Sequence, residues 1–255
     1  MRASPAKGSR RARTSAVLAV GAIALALVTG CSGDGSAEGS DKDGAPARAA
    51  KALSSAELET LLLATGDVKD YKVTDGDETL LKDQSELETD KPECDPLAWA
   101  ASALPPGNTD ANASNGIVPD PAAFEGASPK EFDEKISLTL VGLSSYDGDG
   151  AEKAVKAVDD GIKACAGGFY QNTSERTTRV TEVAAVESSG QGDESVGFTL
   201  DLDLGGEDVL TFTTEVVRKG NNVATFHTVN LEAYGSGGAT EIPAEIIKAQ
   251  VAKLK

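Results

Sequence analysis

"SVGFTLDLDL", residues 195–204, decides the fold class. Val196, Phe198, Leu200, Leu202 and Leu204 alternate with Gly197, Thr199, Asp201 and Asp203, and successive side chains of an extended chain point to opposite faces. One face is therefore dry and the other wet, as in an antiparallel sheet that rests one side on a core. Working outward, "TRVTEVAAVE" (178–187), "DVLTFTTEVVRKG" (208–220) and "NVATFHTVNLEA" (222–233) also read as strands. "LGGED" and "KGNN" between them supply the tight turns of a meander.

The flanks add helices. "KISLTLVGLSSY" (135–146) sets Ile136, Leu138 and Leu140 against Ser137 and Thr139, which predicts one more strand. "DGDG" (147–150) then turns into "AEKAVKAVDDGIKACAGG" (151–168). There Ala154, Val158, Ile162 and Cys165 recur at helical spacing, and Gly167 and Gly168 end the helix. Earlier, Ser54 and Glu57 have the capping-box spacing ahead of Leu58, Leu61 and Leu62, so a helix starts near residue 54 and stops at Gly66. "DYKVTDGDETLL" (70–81) suggests a short strand and turn. "PECDPLAWAASALPP" (92–106) is a short helix carrying Cys94 and the only tryptophan, Trp99, and it stops at the double proline. Residues 107–130, rich in Gly, Asn, Pro, Ala and Ser, read as one long loop. The chain closes on "IPAEIIKAQVAKLK", a helix with Pro243 in its first turn and a stripe of Ile246, Ile247, Gln250, Val251 and Leu254. Together these elements predict an α+β fold: a mainly antiparallel sheet with helices packed on its dry face, in one domain over residues 53–255.

What precedes that domain reads as targeting. Arg2, Lys7, Arg10, Arg11 and Arg13 give a basic start, followed by an apolar run from Ala16 to Val28. Such a run is too short for a membrane-spanning helix, which needs about 20 residues, and fits the core of a signal peptide over residues 1–30. "SRRAR" (9–13) contains a twin arginine, yet Arg13 stands where that signal prefers an apolar residue. Both the general secretory and the twin-arginine routes stay open. Val28-Thr29-Gly30-Cys31 resembles the lipobox of bacterial lipoproteins. That resemblance implies cleavage before Cys31 and a diacylglycerol on its sulfur, anchoring the protein to the outer face of the cell membrane. The other reading is a secreted protein that keeps a cysteine near its new terminus. Residues 31–52 are mostly Gly, Ser, Ala and Asp, with too little to bury to offset the entropy of ordering, and they form a flexible linker.

Charge and cysteine usage bound the function. The chain has 24 Lys+Arg against 41 Asp+Glu, and loss of the five basic residues of the leader brings the formal charge to −22. So acidic a surface excludes nucleic acid as a partner and gives no electrostatic attraction to anionic lipid, which leaves the membrane contact to the lipid on Cys31. Outside the cytoplasm Cys94 and Cys165 are most simply a disulfide. As metal ligands they lack partners, since His227 is the only histidine and no CxxC occurs. Neither GxSxG, HExxH, GxxxxGK[ST] nor GxGxxG is present. Strand alternation puts His227 with Val223, Val229 and Leu231 on an apolar face, the place of a hydrogen-bonded core histidine rather than a base. Two acidic clusters, Asp147, Asp149 and Glu152, and Asp201, Asp203, Glu207 and Asp208, fall short of a calcium loop. They read as a turn before a helix and as the wet side of a strand. No catalytic residue, metal or cofactor is expected.

"PECDPLA" followed some seventy residues later by a helix ending "KACAGG" resembles the PknH-like extracellular domain family, sensor-type domains of actinobacterial kinases and free-standing lipoproteins. The order of elements from "LSSAELETLLL" to the closing meander is similar too. Members often carry two disulfides, whereas only Cys94 and Cys165 are available here. The resemblance implies an extracytoplasmic sheet domain whose helices border a groove for a small molecule or lipid. Two readings follow. One is a ligand- or partner-binding lipoprotein without catalysis, with Trp99 and the 107–130 segment as the place of binding. The other is a structural or chaperone-like envelope lipoprotein acting through protein contacts.

Overall fold

A computed structural model describes residues 51–74, 80–125, 137–205, 208–230 and 239–254. The expected signal peptide, Cys31 and the linker up to residue 50 lie outside the described residues, as do Ile136, Glu207 and Leu231. The described residues belong to one compact unit.

Its frame is one antiparallel sheet of nine strands, β1 (Tyr71–Thr74), β2 (Glu88–Thr89), β3 (Asn112–Pro119), β4 (Leu138–Ser145), β5 (Phe169–Asn172), β6 (Thr177–Val186), β7 (Glu194–Gly205), β8 (Asp208–Lys219) and β9 (Asn222–Val229). They lie side by side in the order β1-β3-β4-β9-β8-β7-β6-β5-β2. The meander read from the sequence forms its centre: Leu200 sits opposite Phe212 between β7 and β8, and Thr214 opposite His227 between β8 and β9. Four helices lie among the described residues: α1 (Ser55–Glu59), α2 (Asp95–Ala100), α3 (Gly150–Ala164) and α4 (Ala244–Lys253). The capping box is complete, with Ser54 and Glu57 satisfying each other's backbone N–H groups, but α1 ends at Glu59 rather than running to Gly66.

The α+β class with an antiparallel sheet is what the structure contains, and its helices divide between both faces instead of sharing one. Neighbouring residues of one strand show it, because side chains alternate. Val216 and Val223 join a first core with Phe198, Leu200 and Leu202 beneath α2 and α3. Val217, Ala224 and Phe226 join a second core with Val141, Leu143 and Ile117 beneath α1 and α4. The wet face expected of β7 is wet only over β5–β7; farther along the sheet α1 and α4 cover that same side. β9 is therefore buried along its whole length. β4 shows the same effect, since Ser137 just before it and Thr139 within it, expected to face water, are buried, while Leu138 and Leu140 are half-buried. Thr139 and Thr228 satisfy each other's hydroxyls at 2.8 Å.

The long loop expected over 107–130 is corrected as well. It contains β3, paired on both sides, and a short 3-10 turn at Pro121–Phe124. Its small residues are there for space: a Cβ at Gly116 would fall 2.4 Å from the Thr74 hydroxyl. A similar squeeze seats α2, whose C-terminal turn puts the Ala103 carbonyl 2.3 Å from where a Cβ on Gly142 would be. Only glycine lets that turn rest on β4.

Candidate functional site

Asn221 and Asn222 come from the β8–β9 turn, and Leu53, Glu57, Thr60 and Leu61 from α1 and its flanks. Topology brings them together, because α1 lies on the second face where β9 begins. Between them is an open cleft of about 290 Å³. A second recess on this side, between Leu63, Tyr71 and Ile117, holds about 10 Å³ and has room for no more than a water.

Hydrogen bonds fix the walls of the cleft. Leu53 N–H donates to Ser145 Oγ at 2.9 Å and Ala52 N–H to Asp147 Oδ1 at 2.9 Å. Asn221 Nδ2 donates to the carbonyls of Lys51 and Tyr146 at 3.1 and 3.0 Å. The segment from residue 51 is thus laced to the turns at one end of the sheet, and the cleft lies beside it. Across the cleft, Glu57 Oε2 accepts from Ser54 N–H and Ser54 Oγ, each at 2.8 Å, and Thr60 Oγ1 donates to the Glu57 carbonyl at 2.7 Å. Ser54's backbone and hydroxyl donors, helped by the charge of Lys51, hold the Glu57 carboxyl below its ordinary value. Among the described residues, Glu57 Oε1 accepts no hydrogen bond. Asn222 is 3 % exposed, and its Oδ1 has no partner among the described residues. The cleft thus offers acceptors and negative charge above two leucine side chains.

The residues singled out from the sequence sit elsewhere. Cys94 and Cys165 are joined, with Cα atoms 5.9 Å apart and both sulfurs in the first core. The bond ties the 3-10 turn before α2 to the end of α3. Trp99 packs against the same core and donates its indole N–H to the Leu87 carbonyl at 3.1 Å, so its polar edge is already engaged. His227 faces that side too, stacked on Phe212 at 4.7 Å with Nδ1 2.8 Å from Thr214 Oγ1. Burial pushes its pKa down to about 4, which keeps the ring neutral. Asp149 pairs with Lys153 and Asp201 accepts from Thr211, and among the described residues no three His, Cys, Asp or Glu side chains converge as a metal site. Neither Trp99 nor β3 supplies a side chain to the cleft's lining. The cleft escaped the sequence reading because its residues carry local roles: Glu57 reads as a cap and Asn221 and Asn222 as turn residues.

No family model matches this chain, and no curated protein does. Among solved structures, the extracellular domain of PknH from Mycobacterium tuberculosis is similar, with 15 % identity over 80 % of this chain and 95 % of that one and a TM-score of 0.44. Among the described residues, no helix is long and apolar enough to cross a membrane.

Proposed function

We propose that the protein is a lipoprotein anchored through Cys31 to the outer face of the cell membrane, with a domain over residues 53–255 that binds a ligand or partner and does no chemistry of its own. In this reading residues 1–30 are removed as a signal peptide and residues 31–52 form the leash. The observation that carries the location is the buried Cys94–Cys165 disulfide, which belongs in an oxidising compartment and accords with the leader and lipobox-like tetrapeptide. The binding role is supported by the cleft, an open and partly apolar recess beside the segment through which the leash arrives. Trp99 remains a secondary candidate through its ring face alone, since its N–H is taken.

Two experiments test this. Cys31→Ser should release the protein from membranes, and retention without an acyl label would overturn the anchor. A native mass spectrum of the protein from its own envelope, repeated after denaturation, should show mass that is lost on unfolding. A protein co-purifying in its place would favour the structural or chaperone-like reading.

A further inference from the structure

We infer that the cleft between α1 and the β8–β9 turn is a site for a primary ammonium group carried on an aliphatic body. This rests on the binding reading above and narrows it to one ligand chemistry. The polar groups that line the recess mostly want hydrogen-bond donors. Glu57 is ionised, has one oxygen uncommitted among the described residues, and lines the same recess as Asn221 and Asn222. Asn221 spends its amide N–H groups on the Lys51 and Tyr146 carbonyls, so its amide oxygen is what it has left to offer. Among the described residues Asn222 Oδ1 is buried without a partner, so it too is left wanting a donor. An ammonium brings three donors and one positive charge. Leu53 and Leu61 supply apolar surface for the methylenes next to it. An anionic ligand would meet Glu57 in a chain already at −17, and an aromatic or sugar ring would find no aromatic side chain to stack on. Among the described residues Lys51 is the cation that acts on Glu57, and it competes for the same carboxylate.

The ammonium has two sources, a free amine or the headgroup of an aminolipid, and the test separates them. The full chain, isotope-labelled, would be titrated with n-pentylammonium, 1-pentanol and pentanoate, and separately with vesicles of phosphatidylcholine with and without phosphatidylethanolamine. The signals followed are the Asn221 and Asn222 side-chain amides and the Leu53 and Leu61 methyls. Pentylammonium should move all four saturably, while the alcohol and the acid should not. A response only to ethanolamine-bearing vesicles would assign the lipid source. Glu57→Gln, which keeps the capping box, should weaken binding about five-fold, and Lys51→Ala should tighten it about two-fold, the scale of exposed charge pairs. Equal shifts with pentanol, no shift from either amine source, or an unchanged affinity in Glu57→Gln would overturn the inference. If the native mass spectrum shows a bound ligand while the cleft ignores both amines, this assignment fails and the binding role stands. If the cleft takes ammonium but the native protein carries neither ligand nor partner, the reverse holds.

Discussion

The two cores back onto the same strands and are closed by different means. On the first face, α2 and α3 are locked by a covalent bond that spans 71 residues of chain. On the second face, α4 is fastened to the chain after α1 without a covalent bond, by apolar packing, hydrogen bonds and one ion pair. Gln250, fully buried, accepts from Leu63 N–H at 3.0 Å and donates to the Leu61 carbonyl at 2.8 Å. Lys253 reaches the Leu62 carbonyl and Asp67, and Asn115 donates to the Leu63 carbonyl. The first core is crosslinked, while the cleft lies on the side held without a covalent tie. Small, reversible opening is therefore expected under α1 and α4 rather than under α3.

The sharpest way to break this contrast is to remove the crosslink. Cys94→Ala with Cys165→Ala should cost ~4 kcal/mol on the chain-entropy argument, measured by urea denaturation. Trp99, in the first core, should report the loss by fluorescence. Next comes acid. The unfolded chain's imidazole takes up a proton near 6.5, whereas His227 in the fold resists until about 4. Stability present above pH 6.5 should therefore fall as pH drops toward 4, by about 3 kcal/mol in all, and His227→Leu should flatten that part of the profile. On the other face, Gln250→Leu strands one buried donor and one buried acceptor and should cost about 2 kcal/mol. Hydrogen exchange at residues 58–68 should speed up while Trp99 emission holds. Combining Gln250→Leu with the cysteine pair should give an additive loss, and a large coupling would show that the two cores do not close independently.

The smallest effect concerns Glu215, which is buried on the same face as Phe226 and accepts from Ser189 N–H and Ser189 Oγ. Burial raises its pKa against the pull of the Ser189 donors. The folded protein therefore holds that proton more tightly than the unfolded chain does. Glu215→Gln should change stability by no more than about 1 kcal/mol, and should gain on the native protein as pH rises through the carboxyl's titration. Denaturation at acid and neutral pH checks the sign.

Legibility in the sequence followed the same division. β7 and β8, α3 and α4 were readable because each sets an apolar stripe at its own period against one core. The disulfide was readable from compartment and cysteine number. β3 was hidden because Asn115 and Gly116 are chosen for a buried contact with Leu63 and for closeness to Thr74, not for strand propensity. The second core was hidden for a related reason. Its polar strand members, Thr139 and Thr228, look like surface residues until each is paired with the other from far along the chain, and neither alternation nor helical spacing encodes which face a distant helix will take. The cleft lies on that half, so it inherited the same invisibility.

That long reach has a temporal meaning. The Gln250 clamp joins residues 187 positions apart, and α4 follows every other described element. A polypeptide leaving a ribosome or a translocation channel N-terminus first can complete the first core, crosslink included, while the partner of Leu61 and Leu63 has not yet emerged. Leu61, Leu62 and Leu63 must wait for α4 before the groups they share with Gln250 and Lys253 are satisfied. A chain cut short before Ala244 would therefore be half finished: oxidised and packed on one face, open on the other, and recognisable to a protease that acts on exposed backbone.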